Sequence, residues 1–158
     1  MIVSFDLDDT LFVAEDNFKI EQKLKFPFCY IYKETLRKGT IELIKYLKDN
    51  NINVWVYTTS YRSERYIKGL FKCYGITFDN IINGQKHQIE VQAGKTEPMP
   101  SKYPGKYRIA LHIDDDISVA QNGKVYGFKV FTVGEQDDMW VNKIIEQVEK
   151  IRKRSLNQ

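Results

Sequence analysis

Three short apolar runs, each halted by a polar or acidic cluster, limit the folds open to this chain more than any other feature. They are Ile2 to Phe5 ahead of Asp6, Val54 to Tyr57 ahead of Thr58, and Ile109 to Ile113 ahead of Asp114. Runs this short and this continuously apolar suit strands buried on both faces, the condition of a parallel sheet covered by helices. Phe128 to Val133 and Phe78 to Ile82 are candidates for two further strands.

Helical patterns fill the spaces between them. Ile41, Ile44 and Leu47 share a face behind Gly39 and Thr40, with Thr40 suited to the N-cap and the helix ending near Asn50. Ser63 caps a second pattern carrying Tyr66, Ile67, Leu70, Phe71 and Tyr74, and Gly75 supplies the left-handed residue that stops it. A last helix begins about Asp137 or Asp138 and presents Trp140, Val141, Ile144, Ile145, Val148 and Ile151; its basic end suits the negative pole. Alternating strands and helices predict an α/β fold, a Rossmann-like three-layer α/β/α sandwich on a central, mainly parallel sheet.

Two stretches break the alternation. Residues 12–36 and 83–107 are long for connections inside a compact domain, and such segments tend to be lids or flaps. We expect the first to be a flap insert, with Phe26 to Tyr32 as a small hairpin or a packed surface loop, and the second a long loop before the Ile109 strand. Neither is long enough for a separate cap. At 158 residues the chain fits one domain spanning 1–158, large enough to bury its own core.

Composition narrows the partners. Apolar residues make up 42% and charged residues 28%, an ordinary globular balance that argues against disorder. A net charge of +3 is too mild to indicate nucleic-acid binding, though it does not oppose an anionic substrate. No apolar stretch reaches membrane-spanning length, and Asp6 interrupts any signal core, so a soluble, cytoplasmic protein is expected. Cys29 and Cys73 lack ligand spacing and are read as reduced thiols.

The chemistry lies where the runs stop. Ligands of open parallel sheets bind beyond the strand carboxyl ends, so the runs would bring Asp6, Asp8 and Thr10, then Thr58, Thr59 and Ser60, then Asp114, Asp115 and Asp116 to one edge. Gathered carboxylates repel and demand a cation or a raised pKa. An all-oxygen donor set without a His or Cys pair selects a hard ion, Mg²⁺ before Zn²⁺, and Mg²⁺ suggests a phosphorylated substrate.

Asp6-Leu7-Asp8-Asp9-Thr10 resembles the DxDxT signature of the haloacid dehalogenase (HAD) superfamily, with Thr58 and Asp114-Asp115 resembling its second and fourth motifs. Its third motif is a lysine between these two; Lys102 fits best, with Lys106, Lys95 and Lys86 as the other candidates. Tyr61-Arg62-Ser63, Lys102-Tyr103-Pro104 and Gly127-Phe128 are further similar to uncharacterised bacterial capless, phosphatase-like members.

The resemblance implies a phosphatase that works through an aspartyl-phosphate. Asp6 would be the nucleophile and Asp8 the general acid and base, with Thr10 orienting Asp8. Thr58, Thr59 and Lys102, with Thr10, would make up the substrate-binding set, and Asp6, the Asp8 carbonyl, Asp114 and Asp115 would hold Mg²⁺. Asp116 is expected at a helix start, His112 as a satisfied core histidine, and His87 facing solvent. Arg62 and Arg65 either clamp an anionic substrate or lie on a solvated helix face. An acid at Asp8 favours phosphomonoester hydrolysis, with nucleic-acid 3′-phosphate or phosphoprotein substrates as alternatives. The opposing possibility is a catalytically silent binding module on the same fold.

Overall fold

A computed structural model describes residues 1–156. Five strands form one sheet: β1 Ile2–Phe5, β2 Asn53–Tyr57, β3 Asn80–Ile82, β4 Leu111–Asp114 and β5 Val130–Thr132. Their spatial order is β3-β2-β1-β4-β5, and every neighbouring pair is parallel. The chain builds outward from β1 to β3, then returns to lay β4 on the other side of β1. Strand order therefore reverses between β1 and β4, which is where open α/β sheets form their binding crevice.

Residue alternation divides the sheet into two faces with different jobs. Val3, Phe5, Val54, Val56, Ile81, Leu111 and Ile113 point into the main core. They meet Leu43, Ile44 and Leu47 of α2 (Thr40–Asp49), Ile67, Leu70 and Phe71 of α3 (Glu64–Cys73), and Trp140, Ile144 and Val148 of α6 (Trp140–Leu156). The opposite face carries Tyr57 and Ile82, packed with Ile109, Trp55 and Tyr107. Its strands also place the polar residues Ser4 and His112 side by side in register. No helix among the described residues is long and apolar enough to cross a membrane.

Local signals explain most boundaries. Ser63 Oγ accepts the Tyr66 N–H at 3.2 Å and starts α3, and Gly75 follows its end at φ +74°. Asp116 caps α5 (Ile117–Tyr126) by accepting the Ser118 N–H at 2.7 Å, as expected of a helix-start residue. The start of α2 differs from the expected Thr40 cap. Gly39 occupies the cap position at φ +94°, and buried Glu21 reaches across from the insert to accept the N–H groups of Gly39 (3.0 Å) and Ile41 (3.3 Å). A carboxylate at this pole does what a local cap would do and pins residues 12–36 to the core.

Within the insert, Phe26 to Tyr32 do not form a hairpin. Phe28–Ile31 form one helical turn, α1, and the segment is held at its base by isolated bridges between Phe12 and Leu36 and between Ile20 and Arg37. Residues 83–107 are likewise more ordered than a loop: α4 (Gly84–His87) runs into a π-helical turn over Gln88–Gln92, and a 3₁₀ turn covers Pro104–Tyr107. Gly84 allows this segment to approach the end of β2, since a Cβ there would collide with the Thr59 carbonyl oxygen.

Candidate active site

Asp6 and Asp114 end adjacent strands on either side of the β1/β4 reversal. Asp6 N donates to the Ile113 carbonyl at 2.9 Å, which continues the sheet ladder and fixes the nucleophile candidate in place. Lys102 closes the pair: its buried ammonium lies 3.0 Å from Asp6 Oδ2 and 2.6 Å from Asp114 Oδ2. Among the four lysines considered, Lys102 is the one brought between the two carboxylates.

Asp114 has a second donor. The His112 ring spans from Ser4 Oγ, 2.8 Å from Nδ1, to Asp114 Oδ2, 2.8 Å from Nε2. A carboxylate can only accept, so Nε2–H donates to Asp114, while Nδ1 pairs with the Ser4 hydroxyl. His112 is indeed buried and satisfied, and in addition it braces an acidic residue of the site. The signal was available: residues i and i+2 of a strand share a face, so His112 and Asp114 had to be neighbours.

Two carboxylates competing for one ammonium are shifted in opposite directions. Burial works against ionisation of Asp114, but hydrogen bonds and charge from His112 and Lys102 outweigh it and bring its pKa down to about 2. Burial raises the pKa of Asp6 instead, helped by the negative charge of Asp114, and the more distant Lys102 does not fully compensate. For Lys102 the sum runs the other way. Its burial is outweighed by Asp6 and Asp114, and its pKa rises.

Asp6 Oδ1 is buried and finds no hydrogen-bond partner among the described residues. An orphaned carboxylate oxygen is costly in a dry site. It lies in a cluster in which one oxygen from each of Asp6, Asp114 and Asp115 falls within 4.8 Å of the others. Burial first, and the charges of Asp114, Asp6 and Asp9 with it, push the Asp115 pKa up. All-oxygen donors, excess negative charge and an unpaired oxygen together fit a hard divalent cation.

The loop after β1 shapes the rest. Leu7 O accepts from the N–H groups of Thr10, Leu11 and Phe12, and Asp9 takes a left-handed conformation at φ +57° to close the turn. Thr10 is fully buried, and its hydroxyl donates to Asp115 Oδ1 at 3.4 Å; its recorded contact is thus with Asp115, not with Asp8 as expected. Asp8 turns outward and pairs with Arg62 at 2.9 Å. At the end of β2, Thr58 N donates to Ile82 O at 2.9 Å and its buried hydroxyl accepts from Ser60 N at 3.1 Å, while Thr59 next to it is exposed.

Lys102 is itself positioned by a network that sequence reasoning missed. The Tyr57 hydroxyl accepts the N–H of Tyr103 at 2.8 Å and lies 2.6 Å from His87 Nδ1. Burial holds Tyr57 well above the usual tyrosine range and lowers the His87 pKa, so the phenol donates to a neutral imidazole. His87 therefore does not face solvent; α4 turns it under the sheet.

The fold has known counterparts. An uncharacterized protein from Listeria monocytogenes serotype 4b superimposes with a TM-score of 0.59 at 17% identity, covering 96% of this chain and 98% of that one. A predicted HAD-like family hydrolase from Porphyromonas gingivalis matches with a TM-score of 0.53 at 14% identity, over 93% of this chain and 97% of that one. The chain has the HAD fold. A third structural neighbour is the D,D-heptose 1.7-bisphosphate phosphatase of B. bronchiseptica, solved with magnesium and phosphate, with a TM-score of 0.52 and 15% identity over 83% of this chain and 79% of that one. No family model and no curated protein sequence matches the chain. Small size leaves the HAD core here with little cap.

Proposed function

We propose that the protein is a Mg²⁺-dependent phosphomonoester hydrolase that forms an aspartyl-phosphate on Asp6. The observation that carries this reading is the buried Asp6–Lys102–Asp114 bridge with one Asp6 oxygen unpaired. A structural neighbour that is a phosphatase solved with magnesium and phosphate supports it.

The residues divide the reaction between them. Asp6 attacks phosphorus and the bond to the leaving oxygen breaks as Asp8 gives that oxygen a proton. In the second half Asp8 takes a proton from water, whose oxygen attacks the same phosphorus and frees inorganic phosphate and the Asp6 carboxylate. Lys102 and Thr58, with Thr59 beside it, supply donors to the equatorial oxygens, where charge gathers. Thr10 acts indirectly, through Asp115. Asp6, the Asp8 carbonyl and Asp114, with Asp115 beside them, would hold Mg²⁺, which when bound neutralises phosphoryl charge. Residues 12–36 act as a flap of this single domain. Two free cysteines suit a reducing compartment, and we place the protein in the cytoplasm.

The test is turnover of a generic aryl phosphate with and without Mg²⁺, by wild type and Asp6→Asn, followed by phosphopeptides and 3′-phosphate oligonucleotides. Metal-dependent turnover lost in the variant is expected. Equal activity in Asp6→Asn sinks the nucleophile assignment, and phosphate binding without turnover on any ester puts the binding module in its place.

A further inference from the structure

Arg62 joins three parts of the molecule that the proposed chemistry treats separately. Its Nη1 donates to Asp8 Oδ2 and to Ser60 Oγ, each at 2.9 Å, and its Nε donates to Glu34 Oε1 at 2.9 Å. The guanidinium lies over the Phe12 ring, 5.3 Å from its centroid. Glu34 belongs to the insert, and Tyr66 of α3 holds its other oxygen at 2.6 Å. The arginine backbone is tied as well, since Asn83 Nδ2 donates to Arg62 O at 3.0 Å. These contacts leave the guanidinium little choice of orientation, and its planar fork passes that constraint to the carboxylates it touches.

Asp8 lacks such constraint elsewhere. Its side chain is 52% exposed, at the edge of a cavity of about 530 Å³ that Glu34 and Phe12 also line. An exposed ion pair of this kind adds little to folding. Its effect on a rate can be larger, because proton transfer requires the carboxyl within hydrogen-bond reach of the leaving oxygen. Arg62 engages Oδ2, which leaves Oδ1 to carry the proton.

We propose that Arg62 is a positioning residue that sets the Asp8 carboxyl for proton transfer to the leaving group, and that Glu34 makes this setting depend on the docked insert. The proposal rests on the phosphatase reading. It assigns Arg62 to the acid rather than to the substrate, and it makes residues 12–36 part of the catalytic geometry.

The test measures kcat/KM with Mg²⁺ on aryl phosphates graded from dinitrophenyl to phenyl, because only the poorer leaving groups need the proton. Arg62→Gln should stay within about threefold of wild type on dinitrophenyl phosphate and fall about tenfold or more on phenyl phosphate, part of the contribution a general acid makes. Glu34→Gln should steepen the dependence in the same direction and less. Adding Arg62→Gln to Asp8→Asn should change nothing further on either substrate. Thermal melting of each variant separates misfolding from mispositioning.

An equal loss across the series, or a further loss in the Asp8→Asn background, overturns the proposal and places Arg62 on the substrate. A flat profile in Arg62→Gln reduces the residue to a tie between segments. Asp6-dependent turnover with either result leaves the phosphatase reading standing; no turnover by wild type on any member removes both.

Discussion

The site has a buried half and an exposed half, and the same kinds of charge act differently in each. Asp6, Lys102, Asp114 and His112 are buried at the β1/β4 reversal, whereas Asp8, Arg62 and Glu34 meet in a partly solvated groove under the insert. In the buried half each partner is the main compensation for another, so removal of one strands a charge. In the exposed half water can replace a lost partner, and the contact matters through orientation instead. In the proposed reaction the first half serves the phosphoryl group and the second the proton transfer.

Lys102→Met should break this contrast most visibly. Asp6 and Asp114 would be left side by side without a cation, and a cost of about 3–5 kcal/mol is expected, the range for opening a buried ion pair. Arg62→Met should cost less than Lys102→Met, because its pair with Asp8 is half exposed and water can replace it there. Urea unfolding of both variants without metal gives the two numbers, and equal losses would erase the distinction between the halves. Phosphatase activity of Lys102→Met should fall by about 10²–10³, the usual loss for one donor to a developing oxyanion.

How much of this was visible beforehand follows from the range of each interaction. Asp6, Asp8 and Asp114 stand out because chemistry restricts residue type at the ends of apolar strands, and a parallel sheet brings those ends together. Lys102 has no strand to announce it; the local Lys-Tyr-Pro segment pointed to it, and the bridge to both carboxylates exists only in three dimensions. Partnerships across strands were hidden for the same reason: Ser4 and His112 meet through sheet register, and Glu21 caps α2 from a distant segment. Aromatic alternation over residues 26–32 imitated a hairpin where the chain makes a helical turn. His87 looked solvent-facing because α4 was read as loop, yet Gly84 lets that turn press against β2.

A smaller effect should sharpen the comparison within the buried half. His112→Gln keeps bulk and polarity but cannot span Ser4 and Asp114 as the ring does. Residues that orient a metal-binding carboxylate typically contribute about 10- to 100-fold in metal affinity. Isothermal titration with Mg²⁺ should show a weakening in that range at little cost to folding. Unchanged affinity would mean that Lys102 and the Asp116 N–H orient Asp114 without it.

The smallest effect lies at the far end of the Lys102 support, and it has a pH signature. His87 accepts from Tyr57, and burial, with Lys106 nearby, lowers its pKa below the ordinary 6.5. The unfolded chain therefore binds a proton that the folded one resists, and stability falls as pH drops below about 6.5. His87→Gln retains an acceptor for the Tyr57 hydroxyl and does not titrate. At about pH 7.5 the two proteins should unfold at similar urea concentrations, and at about pH 5.5 the variant should be the more stable. A difference that stays constant with pH would show that His87 titrates alike in the folded and unfolded chain, and wild type gaining stability in acid would show it protonated in the fold, which would reverse the direction of its hydrogen bond to Tyr57. Because the same hydroxyl holds Tyr103 N, the result also tells whether the support of Lys102 stays intact in mild acid, where the exposed half keeps its arginine in any case.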